Sequence, residues 1–270
     1  MDQTFDKLFE IIVVDNPTIE QRNIDLITRL QRLRFDANII SSPLGANNAR
    51  NTGIYSSKYP IIALLDDDCV PCPTWLDRIY NCIKDNVVCV GGSVILDIYE
   101  PITKLAGKYL TEVDWGRSIY PRPLNVGEYI TSCNMAFTID TYYKVGGFNA
   151  NLGYVGKTDF IPNDEILFIR DCHNHGEVLY DYEMKVSHII RDKGINYLLK
   201  RAYGQGYADI LLNREQGIQD FNSIEQLYFN KYNKIDILLQ CAKVIGITHA
   251  LKGIKPSKQY YSLLEELAQI

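Results

Sequence analysis

The sequence predicts an α/β protein: a mostly parallel sheet flanked by helices. Three observations carry this. Short apolar runs at residues 9–14, 61–65 and 87–90 each break off into polar or glycine residues, as the buried strands of a parallel sheet do. Segments with helical spacing alternate with these runs, which is the order of βαβ units. Finally, 270 residues with 46% hydrophobic and 23% charged make an ordinary globular composition with enough chain to bury a substantial core.

The elements follow in order. FEIIVV (9–14) is a strand that ends in the turn Asp15-Asn16-Pro17. Over 18–35, Ile24, Ile27, Leu30 and Leu33 recur at helical spacing, so an amphipathic helix is expected. A short strand at 38–41 leads into a turn at Pro43-Leu44-Gly45. A helix over 46–57 carries Asn47, Asn48, Arg50 and Asn51 near its start. The strand at 61–65 runs into Asp66, Asp67 and Asp68. A helix at 74–85 follows, with Thr74 and Asp77 as a capping pair. The strand at 87–90 is closed by Gly91-Gly92. Residues 96–126 are irregular and rich in Tyr, Pro and Trp, the character of a binding loop laid on a scaffold. Then come a strand at 129–137, a helix at 141–145, a helix at 166–175 opened by Asn163-Asp164-Glu165, and a strand plus turn at 179–188. Beyond Asp192 the chain is a mainly helical tail.

The net charge of −5 gives no reason to expect a nucleic-acid partner, which would need basic patches. MDQTFDKLFE lacks the basic start and apolar segment of a secretion signal. No apolar run reaches the ~20 residues of a membrane span. The expected location is therefore cytoplasmic, and the 7 cysteines are expected as free thiols. Cys69 and Cys72 form a CxxC. A zinc reading of it would recruit Cys172, His173 or His175 and is weakly supported by one such pair.

LLDDDCVPCPTWL (64–76) is the most informative stretch. Ligands of open α/β sheets bind beyond the carboxyl ends of the strands. Three carboxylates there repel one another unless a cation sits among them. The expectation is a divalent metal that holds a phosphate; the other reading is a solvated acidic turn.

The order of motifs resembles that of the family 2 inverting glycosyltransferases, of GT-A fold. The segments that carry the resemblance are EIIVVDN (10–16), ARNTGI (49–54), LLDDDCVPCPTWL, SCNMAF (132–137), VGGFN (145–149), NDEILFIR (163–170) and VSH (186–188). They span roughly residues 9–210. The resemblance implies a nucleotide-sugar and metal-binding half over 1–128, an acceptor and catalytic-base half over 129–200, and a helical extension over 201–270. It implies that Asp15 hydrogen-bonds the nucleobase or ribose, that Arg50 lies near the nucleotide, and that Asp66 faces the ribose or the metal shell. Asp68 would bind Mn²⁺ or Mg²⁺ bridging the donor phosphates, with Asp67 as a further donor-binding residue. His188 would join the metal or pyrophosphate, and Asn134 would bond the donor sugar or acceptor. Asp164 would be the general base toward a hydroxyl of a saccharide or lipid-linked acceptor. Arg201 would lie near the diphosphate. Trp115 is open between stacking on a sugar and filling the core.

The chain departs from the family in two places. Asn163 stands where relatives carry the glutamate before the base. Only eight residues precede Phe9, where relatives have a first strand and helix. From this the alternative reading is a catalytically silent remnant or a binding subunit. A nucleotidyltransferase is disfavoured because no glycine-rich basic loop is present. The tail segment 235–251 has two readings: a helix packed on the core, or an amphipathic segment giving peripheral contact with the inner face of the membrane.

Overall fold

The structure is a computed structural model that describes residues 3–33, 35–98, 110, 112–125, 127–155, 159–162, 164–190, 194–215 and 234–257, with 260, 262, 264 and 266. Asn163 lies outside the described residues. So does most of the segment between residues 98 and 112. The chain divides into two compact units: Met1–Ile95, Val113–Asn151 and Asp164–His188 form the first, and Leu96–Glu112, Leu152–Asn163 and Ile189–Ile270 the second.

In the first unit, β1 (Glu10–Asp15) pairs in parallel with β2 (Asp36–Ser41). Helix α1 (Gln21–Arg32) covers this pair. Ile27 and Leu30, one turn apart, bury against Ile11, Val13, Ala37 and Ile39. Ile24 and Leu33 share the predicted spacing but stay exposed, because a two-stranded sheet is too narrow to cover a wider stripe. Lys58, just ahead of β3 (Ile61–Leu64), donates its backbone N–H to Glu10 and pairs its ammonium with Asp36 at 2.9 Å. The starts of β1, β2 and β3 are thus held together.

The larger sheet has the order β3, β7 (Met135–Thr138), β5 (Val87–Ile98), β10 (Glu177–Ile190), β4 (Cys69–Pro71), with β6 (Arg122–Pro123) added to β10. The α/β class and the flanking helices are as expected, but the strand directions are not. β3 with β7, β5 with β7, and β4 and β6 with β10 all run antiparallel. An apolar run reports burial on both faces and not the direction of the neighbouring strand. Helices α2 (Ala46–Tyr55), α3 (Trp75–Cys82), α4 (Ile139–Val145) and α5 (Asp164–Cys172) pack on this sheet through Ile54, Trp75, Ile79, Tyr142, Phe168 and Cys172.

Three local expectations change. Gly91-Gly92 does not close a strand: β5 runs through both to Ile98. A Cβ on Gly92 would lie 2.0 Å from the Met184 carbonyl oxygen, so glycine is what lets β10 approach. Residues 132–134 form a 3-10 turn before β7 and not strand, since Asn134 is drawn into the core. Thr74 precedes α3 without a side-chain capping bond, and Asp77 instead accepts from Thr4. The irregular region is tied down where it is described. Arg122 forks onto Glu128 at 2.6 and 2.8 Å and donates to the Trp115 carbonyl. That ion pair holds the Glu128 carboxyl down at about 2.

In the second unit, β8 (Gly153–Val155) and β9 (Asp159–Ile161) form an antiparallel hairpin. Helices α6 (Gly194–Glu215) and α7 (Lys234–Leu251) pack tightly on each other. Leu198, Leu199, Ala202, Tyr203, Leu239 and Ala242 form their core. Part of the apolar surface of α7 therefore faces α6, while Ile237, Val244 and Leu251 stay exposed. Among the described residues no helix is long and apolar enough to cross a membrane. Arg201 lies in this unit, beside the Tyr197 hydroxyl at 3.3 Å.

Candidate active site

The site forms in the first unit where β3 ends. Asp66, Asp67 and Asp68 make the turn from β3 into β4. The register of β4 on β10 sets His188 opposite Cys69. That pairing brings His188 Nε2 to 3.2 Å from Asp68 Oδ1. Asp67 is exposed at the tip of the turn.

A second cluster faces these carboxylates. Arg50, on α2, donates from Nη1 to Asp164 Oδ2 at 2.7 Å and to Asn47 Oδ1 at 2.6 Å. Asp164 is the first residue of α5 and is 6% exposed, where the helix N-terminus favours a carboxylate. The asparagines of α2 fix the loop ahead of it. Asn47 donates to the Asn149 carbonyl at 2.8 Å, and Asn51 bonds both the carbonyl and the N–H of Phe148.

The charges interact. Burial works against the Arg50 cation, but Asp164, Asp66 and Glu165 outweigh it and hold its pKa above the usual value. Burial raises the Asp66 pKa; Arg50 opposes the rise and Asp68 adds to it. Glu165 is pushed up to about 8, first by burial and then by the neighbouring charge of Asp164. Its part in the cluster was not foreseen. The signal available was its place directly after Asp164 at a helix start.

A divalent cation fits the Asp66, Asp68 and His188 end. Hard oxygen donors converge there, and a cation would relieve the repulsion between carboxylates. His188 presents Nε2 to Asp68, and its Nδ1 is buried with no hydrogen-bond partner among the described residues.

The sequence-predicted residues divide as follows. Arg50 and Asp164 come together, and so do Asp68 and His188, with Asp66 coupled to both groups. Asp15 ends β1 as expected, and its carboxylate accepts from the Glu20 N–H and the Asn23 amide, each at 2.7 Å. Asn134 requires correction. It is 0% exposed, donates to the Ser93 and Met184 carbonyls and accepts from Trp75 Nε1. Its hydrogen-bonding groups are engaged in joining β5, β10 and α3, so it is a core residue and not a ligand contact. Trp115 fills core too, edge-on to Tyr129 with its N–H on the Tyr129 carbonyl. His173 and His175 are exposed, and the CxxC does not act as a unit: Cys72 faces Thr74 and the Glu183 carbonyl. The thiol of Cys69 faces Cys133 instead, and that hydrogen bond, with burial, keeps it protonated.

Comparisons with known proteins bear on the family and the fold. The model of the family described as "Glycosyl transferase family 2" matches residues 1–137. Glucosyl-dolichyl phosphate glucuronosyltransferase of Haloferax volcanii is 25% identical over 225 residues, covering 76% of this chain and 67% of the relative. Glycosyltransferase AglE of the same organism is 38% identical over 97 residues, 34% of this chain and 31% of its own length. Among solved structures, the mannosyltransferase PcManGT from Pyrobaculum calidifontis, in complex with GDP-Man and Mn²⁺, aligns with a TM-score of 0.54 at 13% identity, over 99% of this chain and 73% of that one. GalNAc-T7 with UDP, GalNAc and Mn²⁺ aligns with a TM-score of 0.50 at 11% identity, over 96% of this chain, which spans about half (52%) of that protein. The two structures establish the shared GT-A fold. With the family model matching half of the sequence, this chain is a member of glycosyl transferase family 2.

Proposed function

We propose that the protein is a metal-dependent, inverting glycosyltransferase. It moves a sugar from a nucleoside-diphosphate sugar to a hydroxyl of a saccharide or lipid-linked acceptor. The observation that carries this reading is the pairing of Arg50 with Asp164 across from the Asp66, Asp68 and His188 cluster. A base and a phosphate-binding pole then lie on either side of one reacting centre.

Asp164 takes the proton of the acceptor hydroxyl. The acceptor oxygen attacks the anomeric carbon as the bond from that carbon to the diphosphate oxygen breaks, so configuration inverts and no enzyme nucleophile is needed. Arg50 orients the Asp164 carboxylate. Asp68 and His188, with Asp66 alongside, would hold a divalent cation, which would supply charge neutralisation to the departing nucleoside diphosphate. Asp15 accepts from the base or ribose. The Mn²⁺ bound in both solved neighbours supports manganese over magnesium, and the dolichyl phosphate on which the Haloferax volcanii relative acts supports a lipid-linked acceptor.

The test is transfer and donor binding by wild type, Asp164→Asn and Asp68→Ala. Asp164→Asn should keep metal-dependent nucleotide binding and lose about 10²–10⁴-fold in transfer. Asp68→Ala should lose both. Full transfer by either variant sinks the assignment. A second reading, a catalytically silent binding subunit, is favoured by one observation: among the described residues β1 pairs with β2 alone. It predicts no metal-dependent rise in melting temperature with any nucleoside diphosphate.

A further inference from the structure

Beside the hard-metal pole lies a group of a different chemistry. Cys69, Cys133 and His188 each offer a ligand atom, and the three atoms lie within 4.8 Å of one another. Asp68 completes the set: its Oδ1 is 3.2 Å from His188 Nε2 and 3.8 Å from Cys69 Sγ. Zinc bonds of about 2.0–2.3 Å imply tetrahedron edges of roughly 3.3–3.8 Å, so small side-chain shifts would close the group on one ion.

Its two thiols are enclosed, while His188 and Asp68 are half-buried. Cys133 is 2% and Cys69 9% exposed, the first in the 3-10 turn before β7 and the second in β4. The β4–β10 register fixes His188 across from Cys69. The imidazole is half-buried; its Nε2 is the nitrogen beside Asp68, and its Nδ1 has no partner among the described residues. The three loci are far apart in sequence, so no spacing motif announces them.

We propose that Cys69, Cys133, His188 and Asp68 form a site for a thiolate-seeking divalent cation of the zinc and cadmium class, sharing Asp68 and His188 with the hard-metal position. Thiolate sulfur selects zinc or cadmium, while carboxylates and diphosphate oxygens select Mn²⁺ or Mg²⁺. Binding releases the two thiol protons to solvent and leaves two thiolates, one carboxylate and a neutral imidazole around the dication. Since two ligands are shared, the soft ion and the donor-bound hard ion exclude each other. This last consequence rests on the donor-site reading above; the ligand set itself does not.

The test uses Co²⁺ as a spectroscopic probe on the full, reduced, chelator-stripped chain. Stoichiometric cobalt should give the intense thiolate-to-cobalt charge-transfer absorption and the visible bands of a tetrahedral ion, both abolished by Zn²⁺. Cys133→Ser and, separately, Cys69→Ser should lose the charge-transfer band, while Cys72→Ser keeps it. Absence of the band in wild type overturns the site, as does its survival in both single variants. Manganese electron resonance with a nucleoside diphosphate then reads the sharing: zinc should release bound Mn²⁺. Retention of Mn²⁺ at saturating zinc overturns the shared ligands. A thiolate–cobalt spectrum without any nucleotide-dependent Mn²⁺ binding overturns the donor-site reading and leaves the thiolate site standing.

Discussion

Arg50 is surrounded by more carboxylate than one guanidinium can neutralise. Asp164, Asp66 and Glu165 all act on it, and Glu165 responds by keeping its proton up to about pH 8. The stability consequence has a definite sign. Between the ordinary glutamate value of 4.5 and about 8, the folded chain holds a proton that the unfolded chain has shed. The Glu165 contribution is therefore fully present below 4.5 and is lost as pH rises through that window. Glu165→Gln should flatten this part of the pH–stability curve, measured as urea midpoints at several pH values; an unchanged slope would refute the account. At this scale the sequence singled out Arg50 and Asp164, and the structure brings them together at 2.7 Å, a pairing that no motif announced. The sequence misled at Asn134. A polar residue in a motif can serve a ligand or the core, and only the tertiary partners Ser93, Met184 and Trp75 decide between them. Cys69 and Cys133 were visible as thiols, but their meeting depends on a strand pairing that no local pattern encodes.

At the scale of elements, the alternation from β1 to α3 was legible to within a few residues, because each run is long enough to carry its period. The short strands were not. β4, β6, β8 and β9 have two or three residues each, and their identity comes from a partner elsewhere in the chain. β4 even contains Pro71, tolerated because β4 lies at the edge of its sheet. Gly91-Gly92 reads locally as a strand end, yet it serves close approach within a continuous strand. Gly92→Ala would set a methyl 2.0 Å from the Met184 carbonyl oxygen, with backbone on both sides. The expected loss of stability is at least the upper end of the about 1–3 kcal/mol seen for overpacking. Equilibrium denaturation measures it, and a variant as stable as wild type would show that β5 and β10 can part at no cost.

At the scale of the whole chain, enclosure is uneven across the strands of the first unit. β1 and β3 each have one described neighbour, β2 and β7, and all six residues of β1 are half-buried where those of β7 are almost wholly enclosed. Protection from solvent should follow this division. In native-state hydrogen–deuterium exchange, β1 amides not bonded to β2 should trade their hydrogens through local opening, orders of magnitude sooner than those of β7, flanked by β3 and β5. Equal protection in β1 and β7 would mean that the open side of β1 is covered in solution. The fold then carries a graded clock: its slowest hydrogens mark the strands behind the carboxylate turn, and its fastest mark the strand that ends in Asp15.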